Sequence, residues 1–304
     1  MINKAILILV LILSKANISW AQFVQKDTSY TVNRAYLKYK KDFPNIKIAE
    51  ANDLDVSVQQ NVIYHNTGTR DLMLDLYRPE KQTQNLPVIF MIHGGGWKSG
   101  DKYHMQVLGI VLASKGYVTV AIEYRLSAEA PYPAAVLDVE AAMQWTVEYA
   151  KELHIDTAGF ILLGCSSGGQ LATLVGVNPS FNSPKIKAII NLDGILAFHH
   201  TESEEGASAA LWLGGSYETA KENWEVASPL KHAGKGDPPI LFVNSQYPRF
   251  HAGRDEMITI LSQANIYTKV HELPDTPHTF WLFDPWFLPT VGYILQFLDK
   301  VISD

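Results

Sequence analysis

The stretch Gly159-Phe160-Ile161-Leu162-Leu163-Gly164-Cys165-Ser166-Ser167-Gly168-Gly169-Gln170-Leu171-Ala172-Thr173-Leu174-Val175 decides the fold. Its first five residues read as a short buried strand, and those after Gly169 read as a helix. Between them stands Gly-x-Ser-x-Gly, the spacing of a tight strand-to-helix turn that presents a serine at its apex. Such a turn tolerates little more than a hydrogen at its flanks, which accounts for Gly164 and Gly168. Of the two serines, only Ser166 has a glycine two residues away on each side, so it is the candidate nucleophile. The N–H of Ser167 is then available to an oxyanion. Taken alone, the pentapeptide reads equally well as a glycine-rich turn without chemistry.

The surrounding pattern supports the chemical reading. Upstream, Asn61–His65 and Leu72–Tyr77 flank a Thr67-Gly68-Thr69 turn and read as a hairpin. Val88–Ile92 is a continuous apolar run suited to a strand buried on both faces. Tyr117–Ile122, Ile186–Leu192, Ile240–Val243 and Thr268–Leu273 read as further strands. Helices are expected over about 105–114 and from Pro133 to Leu153, with a short one near 32–41 that Pro44 must end. Strands alternating with helices imply an α/β fold, a mostly parallel twisted sheet with helices on both faces. No repeat or linker interrupts it, so residues 22–304 read as a single catalytic domain. The segment 196–236 is too long for a simple connection and reads as a cap-like insertion over the active end of the sheet.

Composition sets outer bounds. The chain has 304 residues, 47% apolar and 18% charged, enough to bury a sizeable core. Its net charge of −6 and lack of a basic run point away from nucleic acid. The single cysteine forbids an intrachain disulfide, and Cys165 reads as a small buried residue behind the turn. Residues 1–21 read as a signal peptide: Lys4, the apolar run Ala5–Leu13, and Ser19-Trp20-Ala21 before Gln22. Nine apolar residues are too few to span a bilayer, which takes about 20. The expected product is an exported protein, periplasmic or secreted, with no membrane span.

Two further signals concern the reacting groups. His93-Gly94-Gly95-Gly96-Trp97 directly follows the Val88–Ile92 run, and consecutive glycines expose backbone N–H groups that can face a developing oxyanion. His278 lies in Pro274-Asp275-Thr276-Pro277-His278-Thr279-Phe280, after the last strand, where a fold of this kind places its base. The chain has ten histidines, and position in the fold singles this one out.

With these residues in hand the chain resembles the α/β-hydrolase superfamily, in the branch joining hormone-sensitive-lipase-type esterases with bacterial carbohydrate esterases. The matching pieces are His93–Trp97 with Gly100-Asp101-Lys102, Glu123–Ser127, Pro131–Ala135 with Asp138, Gly164–Gly169, Ser228-Pro229-Leu230, Pro238-Pro239-Ile240 and the His278 loop. The resemblance covers about residues 60–300. It implies the α/β-hydrolase fold, an acyl-enzyme on Ser166 with His278 as base, and oxyanion donors at Gly95, Gly96 and Ser167. It implies no metal and no cofactor. Arg125 and Asp138 would be structural partners near the site.

The third member of the triad departs from the family. Related esterases carry an aspartate in a turn shortly after the seventh strand, whereas that turn here reads Asn244-Ser245-Gln246-Tyr247-Pro248-Arg249-Phe250. A catalytic histidine still needs an acceptor for its second nitrogen. Asp193, in Asn191-Leu192-Asp193-Gly194, is the first candidate and resembles the acid of pancreatic-type lipases at the end of strand six. Asp255 is the second. Asp275 is too near His278 in a proline-bounded turn to face its ring.

The substrate is expected to be an ester-bearing oligosaccharide or polysaccharide, because an exported esterase meets extracytoplasmic polymers. The runs Pro248–Asp255 and Pro277–Trp281 resemble esterases of bacterial pectin and hemicellulose degradation, which leaves both acetyl and methyl ester removal open. Arg249, Arg254 and Asp255 are candidate contacts for a uronate-bearing chain, and Trp97 and Trp281 are candidate contacts for a sugar. A general short-chain carboxylesterase or lipase is the rival, although Thr201–Glu205 gives the insertion a polar rather than a lid-like character. A peptidase of this fold usually brings a propeller domain, for which there is no room. A catalytically dead binding protein is the non-enzyme alternative, but both Ser166 and His278 are present. No protein partner is implied.

Overall fold

The computed structural model describes residue 27 and residues 29–52 and 54–302, so the expected signal peptide lies outside the described residues. The chain runs α1 (Val32–Tyr39), β1 (Lys47–Ile48), the hairpin β2 (Val56–Asn66) and β3 (Asp71–Pro79), and β4 (Leu86–Ile92). It continues through α2 (Gln106–Ala113), β5 (Val118–Ile122), α3 (Ala134–Glu148), α4 (Ala150–Leu153), β6 (Ile155–Cys165) and α5 (Ser167–Val177). The remainder is β7 (Ile186–Leu192), α6 (Gly206–Leu213), α7 (Tyr217–Val226), β8 (Ile240–Ser245), α8 (Arg254–Gln263), β9 (Thr268–Leu273), β10 (Phe283–Asp284) and α9 (Phe287–Ile302).

Eight strands form one sheet in the order β2-β3-β5-β4-β6-β7-β8-β9. The pairs β2–β3 and β3–β5 are antiparallel, and every pair from β5 to β9 is parallel. This is the α/β-hydrolase fold. Successive side chains of a strand point to opposite faces, so Phe90 and Ile92 pack with α3 and α5 while Ile89 and Met91 pack with α2 and α9. Both halves of the β4 run are therefore buried, as a continuous apolar strand requires. Cys165 is buried beside Met105, with 3.9 Å between their sulfurs.

Two features exceed what periodicity suggests. Residues 29–52 dock rather than trail: β1 pairs antiparallel with β10, and α1 buries Ala35 in the core. The 196–236 segment holds the helices α6 and α7, which carry Trp212 and Trp224 on their buried faces. Among the described residues no helix is long and apolar enough to cross a membrane.

Candidate active site

The turn between β6 and α5 shows why its glycines are glycines. A Cβ on Gly164 would stand 1.9 Å from the carbonyl oxygen of Gly168, and one on Gly168 would stand 2.1 Å from that of Ile92. With both absent the chain closes tightly and holds Ser166 at φ 53°, ψ −123°. The N–H of Ser166 donates to the Leu192 carbonyl at 2.8 Å, which ties the turn to the end of β7. Ser167 is the first residue of α5, so its N–H has no carbonyl partner within the helix.

The glycine run after β4 wraps the opposite side of the serine. A Cβ on Gly94 would lie 3.0 Å from that of Ser166, so the loop and the serine are in close contact. The loop is held from several directions. Tyr124 Oη donates to the His93 carbonyl at 2.9 Å while its ring stacks on His93 at 4.4 Å. Ser127 donates to the Trp97 carbonyl through its N–H and its hydroxyl, at 2.8 and 3.0 Å. The Glu123–Ser127 motif is thus a brace for the glycine loop. Arg125, within it, is anchored by a two-pronged pairing with Asp138, with Nη2 to Oδ1 at 2.6 Å.

His278 and Asp193 complete a line of hydrogen bonds. His278 Nε2 lies 2.8 Å from Ser166 Oγ, and His278 Nδ1 lies 2.7 Å from Asp193 Oδ2. Asp193 follows β7 directly and is fully enclosed. Ser245 donates to it twice, from its N–H to Oδ1 at 3.0 Å and from its hydroxyl to Oδ2 at 2.5 Å. Asn244 adds a longer contact of 3.4 Å, and His251 Nδ1 stands 3.6 Å from Oδ1. Burial pushes the Asp193 carboxyl up, yet the imidazoles of His251 and His278 and the Ser245 hydroxyl outweigh it and hold it at about 2. The acid is therefore a carboxylate at neutral pH, fit to accept the His278 Nδ1–H and to balance an imidazolium. Phe250 lies flat on the His278 ring at 3.4 Å and Trp281 meets its edge at 5.5 Å, so the imidazole is fixed on two sides.

Other residues singled out in the sequence stand elsewhere. Asp255 is largely exposed and bound to Arg254 at 2.8 Å, so the alternative acid is not in the line. Arg254 is buried and occupied by Asp255, Glu272 and Asn244, which corrects its reading as a substrate contact. Trp97 is corrected likewise: it is buried, donates to Gln170 Oε1 at 2.9 Å and stacks on Trp212 at 5.3 Å. It supports the glycine loop from behind. Trp281 is buried against His278 rather than open to a sugar. Arg249 is exposed, paired with Glu204 of the insertion at 3.1 Å and lying over Phe250, the ring that stacks on His278. Beside it, burial holds the Glu205 carboxyl above the usual carboxylate range, offset only in part by the charges of Arg249 and His278.

Sequence reasoning missed Phe250, Ser245 and the approach of His251 to the acid. The signal available for them was weak, a stretch from the end of β8 through 251 that lacks a carboxylate but is rich in hydrogen-bond donors.

Comparison with known proteins agrees with this architecture. A family model described as BD-FAE matches residues 74–260. The esterase LipC of Mycobacterium tuberculosis is 24% identical over 75% of this chain and 62% of its own length. The carboxylesterase NlhH of the same organism is 35% identical over 36% of this chain and 34% of that protein. The chain thus spans less than two thirds of either relative. Among solved structures, a truncated carbohydrate esterase from gut microbiota superposes with a TM-score of 0.69 at 20% identity, covering 85% of this chain and all of that one. That likeness is one of fold.

Proposed function

The chain belongs to the BD-FAE family, and from that membership and the geometry around Ser166 we propose that it is a serine carboxylic-ester hydrolase acting on an esterified carbohydrate. The observation that carries the reading is the unbroken line Ser166 Oγ–His278 Nε2–Asp193, at 2.8 and 2.7 Å, beside a glycine loop. His278 takes the Ser166 proton as Oγ attacks the ester carbonyl. The oxyanion rests on the N–H groups of Gly95, Gly96 and Ser167. The His278 imidazolium, balanced by Asp193, gives its proton to the departing alcohol. Water, deprotonated by the same histidine, then attacks the acyl-enzyme and frees the acid and Ser166.

The finer reading, removal of acetyl or methyl ester groups from a plant-type glycan such as pectin, draws support from three sources. These are the sequence resemblance at Pro248–Asp255, the shared fold with a gut-microbial carbohydrate esterase, and the exposed Arg249 over Phe250. Export by the N-terminal signal belongs to the same proposal. Incubation with a panel of acetylated and methyl-esterified polysaccharides tests it, with free acetate or methanol as the expected product. Hydrolysis of small aryl esters with neither product released from any polymer would favour the rival reading, a general short-chain carboxylesterase, which the names of LipC and NlhH make the natural second.

A further inference from the structure

His278 gives its proton to the departing alcohol, so the alcohol half of the ester lies against this ring, and whatever borders the ring reads that half. One border is the stretch that leads into α6. Glu204 holds Arg249 at 3.1 Å, Arg249 lies over Phe250 at 4.2 Å, and Phe250 stacks on His278 at 3.4 Å. Four residues on, Ser208 reaches the opposite wall, where a Cβ placed on Gly96 would lie 3.8 Å from its Oγ. Residues 204–208 thus run from the histidine side of the site to the glycine loop. Ser166 touches both sides: its Oγ is 2.8 Å from His278 Nε2, and its Cβ would be 3.0 Å from one on Gly94.

Glu205 lies within that span. Its carbonyl accepts the Ala209 N–H at 2.9 Å and Ala209 is wholly buried, so the backbone that carries the side chain is fixed. The residue is only partly exposed, yet among the described residues its carboxylate has neither a hydrogen bond nor an ion pair. The positive charges that reach it are those of Arg249, His278 and Lys98, and Glu204 opposes them. Arg249 is shared with Glu204, and Lys98 with Asp27. His200 and Glu202, next along the chain, engage each other and Glu256. Burial holds the Glu205 carboxyl above the ordinary range, and a donor arriving with the substrate relieves that cost. We propose that Glu205 is a specificity-determining residue whose carboxylate accepts a hydrogen bond from a free hydroxyl on the alcohol half of the ester, next to the esterified oxygen. The inference rests on the carbohydrate-esterase reading above and narrows it. A sugar acylated on one hydroxyl carries such a neighbour, whereas the alcohol half of a methyl ester is methanol, which carries none. Glu205 thus favours acyl esters of sugar hydroxyls over esters of simple alcohols.

The test compares two acetates that share a ring and differ in one hydroxyl, trans-cyclohexane-1,2-diol monoacetate and cyclohexyl acetate. Acyl migration in the first returns the same compound. Values of kcat/KM are measured for the full chain and for Glu205→Gln and Glu205→Ala, each divided by the ester's rate of alkaline hydrolysis. The wild type is expected to favour the diol ester by about tenfold or more, the scale of one hydrogen bond to a charged group. Glu205→Ala should bring that ratio to within about twofold of one, through loss on the diol ester. Glu205→Gln, which keeps a neutral acceptor, should retain part of it. A merely structural role would lower both esters together and leave the ratio alone. The proposal is overturned by a wild-type ratio near one, by no turnover of either acetate, or by a Glu205→Ala protein that keeps the wild-type ratio. Where Glu205→Ala does not express, a wild-type ratio in the nearly isosteric Glu205→Gln overturns it equally. Failure of the carbohydrate-esterase reading itself looks different: no acetate is released from any glycan, while the ratio is still read on the two small esters.

Discussion

Asp193 Oδ2 accepts from His278 Nδ1 at 2.7 Å across 85 residues of sequence, reaching the histidine from the end of β7 and not from the turn after β8. The last two residues of β8 instead supply donors. Ser245 and Asn244 both point at the carboxylate. The acceptor of His278 thus lies at the end of β7, and the end of β8 forms its hydrogen-bonding shell.

Asp193→Asn is therefore expected to lower kcat by three to four powers of ten, roughly the loss when a histidine is held in the wrong tautomer. Asp255→Asn should stay within about twofold, since its carboxylate is exposed and serves Arg254. Steady-state kinetics on one aryl ester compare the two, and the reverse ranking would refute the assignment.

Ser166→Ala is expected to remove at least about 10⁴-fold of kcat, whereas Ser167→Ala should retain most of it, because Ser167 contributes a backbone N–H. Covalent labelling by an organophosphonate, read by mass spectrometry, should move to no other residue in Ser166→Ala. A label on Ser167 in the wild type would reassign the nucleophile.

The two arginines should separate cleanly. Arg254 is enclosed and holds Asn244, a neighbour of the acid, so Arg254→Ala should lower stability by about 1–3 kcal/mol and reduce turnover of every substrate alike. Arg249 forms an exposed pair with Glu204, which contributes little to stability. Its truncation should leave the melting temperature unchanged and alter only substrates that reach it. Equal losses for Arg249→Ala on aryl and polymeric esters would count against a substrate contact.

Acid stability follows from Asp193. Its carboxyl is held at about 2 in the fold against an ordinary 3.8, so its contribution is complete above 3.8 and is lost as pH falls toward 2. Calorimetry over that interval should show a falling melting temperature, with a shallower fall in Asp193→Asn. An identical slope in the two proteins would mean that other carboxylates dominate.

Much of this was readable in the chain because it depends on local spacing. The Gly164–Gly168 pair, the run His93–Gly96 and the alternation of β4 each declare their geometry within a few residues. Asp193 was readable because a polar residue closing an apolar strand must lie at the sheet's end. What covers a side chain was not readable. Trp97 reads as open because it ends a loop, but Trp212, more than a hundred residues later, closes over it. Phe250 reads as one aromatic in a polar turn, and only the folded sheet brings it flat onto His278.

The backbone of Ser166, at φ 53° and ψ −123°, lies where residues with side chains rarely go. Such a conformation costs about 1–3 kcal/mol for any residue but glycine. The protein thus carries its nucleophile at the expense of its own melting temperature, and Ser166→Gly should be inert yet more heat-resistant. A search for hardier variants that scores survival alone would reward discarding the reactive serine, so any such search must count turnover as well.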